Sequence, residues 1–240
     1  MSQHPAIQPG NVAVITGGAD GIGLAAARKF QSSGMQVCIA DISKDKLETA
    51  ASDLGDVFAV PTDVASLDSV QQLKTRVLEH FGRVDVLMNN AGVGVPNTPW
   101  TGYEAWQTIL GVNLWGVIHG VQAFTQAMID QGTPGVIINT GSKQGITTPP
   151  GNPAYNVSKS GVKSLTEALA HELRNTDNCR VSAHLLVPGF TYTGMIRRFL
   201  PEQPPAAWSP EQVVDFLLDA LGRGDFYILC PDNDVTREMD

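Results

Sequence analysis

Short apolar, β-branched runs alternate with helix-length patterns at fairly even spacing from Val12 to Leu229, and few architectures accommodate that order. Residues 12–16, 36–40, 57–60, 84–88, 136–139, 181–187 and 226–229 read as buried strands whose composition suits parallel pairing. Between them, 23–33, 44–54, 67–81, 104–131, 153–175 and 210–221 read as helices, several preceded by Ser, Thr or Asp caps. The expectation is an α/β fold with a doubly wound, seven-stranded parallel sheet flanked by helices, and a single domain over residues 1–240. One long irregular connection, 190–207, carries Pro201, Pro204 and Pro205 and reads as a lid over a binding site.

Composition excludes several classes. With 16 Lys+Arg against 24 Asp+Glu the net charge is −8, which offers no basic footprint for nucleic acid. Three cysteines without CxxC spacing point to a reducing compartment. Met1-Ser2-Gln3-His4-Pro5 lacks the basic and apolar regions of a leader, and no run reaches the ~18 apolar residues of a membrane span. A cytoplasmic protein with no membrane partner is expected.

The first strand ends in Thr16-Gly17-Gly18-Ala19-Asp20-Gly21-Ile22-Gly23, and a helical pattern follows at once. Glycines let a backbone approach a pyrophosphate, and the N–H groups and dipole of the helix start favour the anion. The spacing is GxxxGxG rather than GxGxxG, and a glycine turn serving only strand-to-helix packing is the plainer alternative. Asp41 ends the second strand 18 residues beyond Gly23, near the offset at which a carboxylate takes the adenosine ribose hydroxyls. It would repel a 2′-phosphate, and neither Ile42 nor Asp20 supplies a compensating cation, so NAD is favoured over NADP. A helix cap is the competing use of Asp41.

With those residues placed, the chain resembles the short-chain dehydrogenase/reductase family, single-domain branch, from about Asn11 to Leu229. The glycine loop is followed in the family's order by Asn89-Asn90-Ala91-Gly92, Asn113, Ser142, Tyr155-Asn156-Val157-Ser158-Lys159 and Pro188-Gly189-Phe190-Thr191-Tyr192-Thr193. The resemblance implies a Rossmann-type sheet and cofactor contacts at Gly17, Gly21, Ile22, Gly23, Asp41, Ile42, Asp63, Val64, Asn90, Ala91, Gly92, Tyr155, Lys159, Pro188, Gly189, Thr191 and Thr193. Asp63 could instead cap the helix near Leu67, and Asn90-Ala91-Gly92 could be an ordinary turn. Thr191 departs from the apolar residue common at its position, so its backbone rather than its hydroxyl is expected to act.

Tyr155 and Lys159, four residues apart, share a helix face. An ammonium beside a phenol is expected to lower its pKa toward the range useful for general-base work. Ser142 can bond the substrate oxygen that exchanges a proton with Tyr155. Asn113 is placed inside a long helix near Gly111, and by resemblance it holds a water linking Lys159 to solvent. Each has a plainer reading: a surface Tyr/Lys pair, a turn serine, a buried kink.

The resemblance implies an NAD-dependent oxidoreductase moving a hydride between nicotinamide and a secondary alcohol or ketone. An isomerase or dehydratase using bound NAD, and a nonenzymatic dinucleotide-binding regulator, are the alternatives. A small-molecule alcohol or ketone is the expected partner. Self-association as a homodimer or homotetramer is implied by the family, with Val117, Val121, Phe124, Leu165 and Leu169 serving either that interface or the core. Trp100, Phe190, Tyr192, Met195 and Ile196 fall on loops flanking the site, as pocket wall or lid packing.

No metal is expected. His171-Glu172 lacks the second histidine of a zinc helix, since position 175 is Asn175, and His80, His119 and His184 read as structural. Lys143 could meet a substrate anion, but a solvent-facing lysine is the commoner case. Asp232 to Asp240 reads as a solvated acidic tail.

Overall fold

A computed structural model of the chain describes residues 4–234 and 236. Seven strands, β1 (Val12–Thr16), β2 (Gln36–Asp41), β3 (Phe58–Pro61), β4 (Val86–Asn89), β5 (Gly135–Thr140), β6 (Val181–Val187) and β7 (Tyr227–Leu229), form one sheet in the order β3-β2-β1-β4-β5-β6-β7. Every pairing is parallel. The seven-stranded, Rossmann-type α/β expectation is met, and all five residues of β1 are buried, as a strand covered on both faces requires. Strand order reverses between β1 and β4, and in open parallel sheets ligands bind in the crevice at such a reversal, beyond the carboxyl ends of the strands.

The helices are α1 (Gly21–Ser32), α2 (Lys44–Leu54), α3 (Leu67–Phe81), α4 (Tyr103–Leu110), α5 (Gly116–Asp130), α6 (Gln144–Thr147), α7 (Pro153–Asn175), α8 (Gly194–Arg197) and α9 (Pro210–Arg223). Phe30 of α1, Leu47 of α2 and Leu217 of α9 pack with Ile15 and Ile39 in one core, while Leu73 of α3, Phe124 of α5 and Leu173 of α7 pack with Val14 and Leu87 in another. Val117, Val121 and Phe124 are buried in the core, and Leu165 and Leu169, partly buried, pack against it. Ser43, Ser66 and Ser209 cap α2, α3 and α9, as sequence patterning predicts.

Two departures from expectation bear on the site. The first helix starts at Gly21 because the Asp20 carboxylate accepts from the Gly21 N–H and caps it there. The helix expected over 104–131 is interrupted by a π-helical segment, Gly111–Trp115, between α4 and α5. A π-turn admits one extra residue and disturbs the i→i−4 ladder. Here it carries the fully buried Asn113, and Gly116 lies so near Val64 that a Cβ would sit 2.7 Å from Val64 Cγ2.

α7 carries two of the residues singled out above, and its seat is polar. Asn139 Nδ2 donates to Thr166 Oγ1 at 3.0 Å, and Asn89 Nδ2 donates to Asn139 Oδ1 at 2.9 Å, a buried chain from helix to sheet. Asn89 Oδ1, at the sheet end of the chain, is buried without a hydrogen-bond partner, so the network orients α7 on the sheet at some cost in stability. The α7 start is set by Asn152, which accepts from Tyr155 N at 3.4 Å and from Asn97 Nδ2 at 2.6 Å.

Candidate active site

The glycine loop lies at the β1/β4 reversal. Gly17 and Gly21 have φ of +63° and +53°, which L side chains rarely adopt, and a Cβ on Gly23 would lie 2.1 Å from the Gly17 carbonyl oxygen. Thr16 Oγ1 accepts from Asn90 N at 3.0 Å and Ala91 N at 3.3 Å. Asn90 Nδ2 donates to the Thr16 and Gly17 carbonyls at 3.2 and 3.3 Å, and Asn90 Oδ1 accepts from Thr140 Oγ1 at 3.3 Å. Asn90-Ala91-Gly92 is thus no ordinary turn; it braces the glycine loop. Asp41 is half-buried at the end of β2, one oxygen accepting from Ala19 N at 3.4 Å and the other from Ser43 N at 3.1 Å. A cradle of glycine backbone at a helix start, with a carboxylate at its edge, fits a dinucleotide: Gly17, Gly21, Ile22 and Gly23 would hold its pyrophosphate and Asp41 its adenosine ribose.

Asp63 and Val64 follow β3. The cap of α3 is Ser66, not Asp63; Asp63 Oδ1 instead accepts from Ala65 N at 2.9 Å. Val64 is buried against Gly116, and its carbonyl bonds His119 Nδ1 at 2.9 Å. Ile42 is 69% exposed, leaving its side chain open to a ligand at that edge.

Beyond the carboxyl ends of β4 and β5 a second cluster forms. Lys159 is buried, and its Nζ donates to the Thr140 carbonyl at 2.7 Å while standing 5.6 Å from the centre of the Tyr155 ring. A Cβ on Gly92 would be 3.6 Å from Asn113 Oδ1 and 3.9 Å from Lys159 Nζ, so the Asn-Ala-Gly segment, the π-segment and α7 converge there. Ser142 follows β5, and its hydroxyl accepts from Gln144 N at 3.2 Å and lies near enough to the Tyr155 phenol to favour the phenolate. The surface-pair reading of Tyr155 and Lys159 is excluded by burial of the lysine.

The electrostatics differ from the sequence expectation. Burial raises the Tyr155 phenol above its ordinary value, and the Ser142 hydrogen bond only partly offsets it. Burial also lowers the Lys159 ammonium to about 8. A group that is itself costly to charge is a weaker stabiliser of a neighbouring phenolate, which is why spacing alone pointed the wrong way.

The short chain dehydrogenase family matches residues 11–204. The chain belongs to the short-chain dehydrogenase/reductase family. It is 36% identical over 199 residues to a 3alpha-hydroxysteroid dehydrogenase of Mediterraneibacter gnavus, covering 80% of this chain and 77% of that one. It is 33% identical over 189 residues to a CLA biosynthesis dehydrogenase/reductase of Lactiplantibacillus plantarum, covering 77% of this chain and 66% of the relative. A short chain dehydrogenase/reductase of Burkholderia phymatum, solved in complex with NAD, superposes with a TM-score of 0.85 at 37% identity, covering 92% of this chain and 89% of that one. The protein is thus an oxidoreductase of the short-chain family.

Within this short-chain dehydrogenase some residues stand apart from the expected pattern. The Asn113 amide is fully engaged: Nδ2 donates to Val93 O at 3.0 Å and to Ser158 Oγ at 3.4 Å, and Oδ1 accepts from Val93 N at 2.8 Å. Its side chain clamps the loop after Gly92. The Thr191 hydroxyl turns back to the Gly189 carbonyl at 3.2 Å, in keeping with a backbone role. Lys143 is not solvent-facing: its N–H donates to the Pro188 carbonyl, and its side chain, 16% exposed, lies 3.6 Å from the Asp232 carboxylate. Asp232 is correspondingly no solvated tail residue, since it also accepts from Phe190 N at 3.4 Å; position 235 and positions 237–240 of that stretch lie outside the described residues.

Trp100 borders a separate cleft lined by Asn97, Pro149, Pro150 and Val157, and none of Ser142, Tyr155 or Lys159 lines it. Tyr192 Oη instead donates to the Leu200 and Pro201 carbonyls, closing the 192–201 stretch on itself. His80 stacks on Phe58 and His184 bonds the Asp225 carbonyl, both structural uses. Among the described residues no helix is long and apolar enough to cross a membrane. Sequence reading passed over Thr16, Thr140 and Ser158 as site residues. Only the Thr preceding the glycine run carried a signal, a hydroxyl at the end of a buried strand.

Proposed function

We propose that the protein is an NAD-dependent dehydrogenase or reductase interconverting a secondary alcohol and its ketone. The observation that carries this reading is the convergence of Tyr155, Ser142 and Lys159 beyond β5, beside a glycine cradle whose outer edge ends in Asp41. Bound nicotinamide would supply the hydride acceptor or donor. In oxidation Tyr155, its own proton first passed out by way of Lys159, takes the alcohol proton as the phenolate, and in reduction the neutral phenol gives its proton to the ketone oxygen. The Ser142 hydroxyl bonds that same oxygen and orients the reacting carbon. Lys159, next to the phenol and to Gly92, holds the cofactor ribose and passes the proton on toward Asn113. Pro188, Gly189, Thr191 and Thr193 form the nicotinamide-side wall, and 190–207 is the lid over the substrate.

The whole chain acts as one unit on this reading, in the cytoplasm, as a homodimer or homotetramer. Support for self-association comes from Trp115 and Val157, 53% and 48% exposed on the π-segment and α7. Light scattering after gel filtration reads it directly.

The test of function is NADH fluorescence on titration, with NADPH as control, followed by a panel of cyclic, aromatic and aliphatic secondary alcohols with NAD⁺. Binding of NADH with turnover of one alcohol supports the reading. Binding without turnover across the panel moves it to a dinucleotide-binding regulator, and absence of binding overturns it.

Asp41 decides the coenzyme. Removing its charge-assisted bonds to ribose hydroxyls costs about 1.5–3 kcal/mol, so Asp41→Ala should weaken NADH by roughly 10- to 100-fold. It also removes repulsion of a 2′-phosphate, so NADPH should tighten relative to NADH. An unchanged ratio of the two dissociation constants would refute the assignment.

A further inference from the structure

In sequence Asp20 is a residue of the glycine loop that supplies no cation. Its carboxylate gathers three elements. Oδ1 accepts from Gly21 N at 2.7 Å and from the Arg197 guanidinium at 2.9 Å, and Oδ2 accepts from Lys46 Nζ at 2.7 Å. Cations therefore do come to the loop that the sequence showed without one, from α2 and from α8, and Asp20 engages both. The backbone of the 193–197 stretch follows the same contact. A Cβ on Gly194 would lie 2.1 Å from Asp20 Oδ2, and one on Gly21 would lie 3.2 Å from Thr193 Cβ.

The stretch also behaves as one piece. Arg197 lies over the Tyr192 ring, 6.0 Å from its centre, and Tyr192 Oη holds the carbonyls of Leu200 and Pro201. Holding Arg197 therefore holds the 192–201 stretch through Tyr192, and Thr193 sits directly on the helix start where a pyrophosphate would lie.

We infer that Asp20 and Arg197 form a latch between the glycine loop and the 192–201 stretch, and that Arg197 is a positioning residue governing substrate affinity and cofactor release. A closed latch keeps Thr193 and the nicotinamide-side wall in place. An open one frees the stretch, lowering affinity for the alcohol and shortening the cofactor's residence. The latch itself rests on geometry alone; its kinetic consequence rests on the dehydrogenase reading.

The two side chains are 53% and 30% exposed, so salt screens the pair and a modest effect is expected. Asp20→Asn keeps the helix cap, since Asn caps as well as Asp, and removes the charge that holds both Arg197 and Lys46, while Arg197→Gln breaks the Arg197 contact alone. Limited trypsin digestion of the cofactor-free protein, with cleavage after Arg198 followed by mass spectrometry, should run roughly threefold faster in Asp20→Asn. NADH release by stopped flow should quicken by about the same factor, and the KM for an alcohol should rise about threefold with kcat unchanged or higher.

Arg197→Gln, which leaves the Lys46 pair on Asp20, should also speed cleavage, Arg197→Lys should recover part of the effect, and the double variant Asp20→Asn/Arg197→Gln should be no worse than Asp20→Asn alone. Wild type in 0.5 M NaCl should approach the variants. Unchanged cleavage after Arg198 in Asp20→Asn overturns the latch, as does additivity of the two substitutions. Faster cleavage in a protein that binds neither coenzyme would keep the latch and sink the dehydrogenase reading. Turnover with unchanged digestion would do the reverse.

Discussion

Tyr155→Phe is expected to lower kcat by about 10²- to 10⁴-fold, the usual contribution of a positioned general acid or base, while NADH binds within a factor of about three of wild type. The phenol hydroxyl is the group removed, and it faces Ser142 rather than the glycine cradle. The ring stays, so the contact with Lys159 at 5.6 Å and the start of α7 should persist. Because burial holds the phenol above its ordinary value in the cofactor-free protein, wild-type oxidation rates should climb with pH across a range set by the bound complex. Tyr155→Phe should flatten that climb. Near-normal turnover, or an unaltered pH profile on a residual rate, would remove Tyr155 from the chemistry.

Lys159→Met is expected to abolish most turnover, by about 10²-fold or more, and to change how stability depends on pH. Burial has lowered the ammonium from 10.5 to about 8. Below pH 8 both the folded and unfolded chains carry the proton, and the folded state bears the full cost of a buried charge. As pH rises from about 8 toward 10.5 the folded lysine gives up its proton while the unfolded one keeps it, so stability rises through that window. At about 1.4 kcal/mol per pH unit, wild type should gain roughly 2–3 kcal/mol relative to Lys159→Met between pH 8 and 10. Urea denaturation of both proteins at several pH values measures the difference. A constant gap across the window would mean that Lys159 is not destabilised by its burial. Such a residue is retained for what it does at Tyr155 and Gly92 rather than for the fold.

Much of this was legible before any coordinates. The β-branched runs marked every strand to within two residues, because a strand buried on both faces must be apolar throughout. The glycine loop was legible for a sharper reason: positive φ at Gly17 and Gly21, and the lack of room for a Cβ on Gly23, leave no other residue type there. The π-segment was half legible, with Gly111 and a poor helix former at Asn113 marking a disturbance but not its geometry. Its buried Asn113 is tied to Val93, 20 residues earlier, a contact that no local propensity encodes. Lys143 and Asp232 were misread because composition describes a residue's neighbours in sequence, and these two meet across the sheet.

Local chemistry and periodicity determined the alternating βα order, the cradle, the acidic group at the end of β2, and the four-residue spacing that puts Tyr155 and Lys159 on one face. All of these depend on backbone geometry within a few residues, which is why they survive without a fold. Tertiary structure alone decided the rest: that β4 lies beside β1 and opens a crevice there, and that Asp20 meets Arg197 across 177 residues. It also decided that burial governs the charge of Tyr155 and Lys159. Strand order, long-range contact and desolvation are properties of what packs against what, and a chain read residue by residue does not carry them.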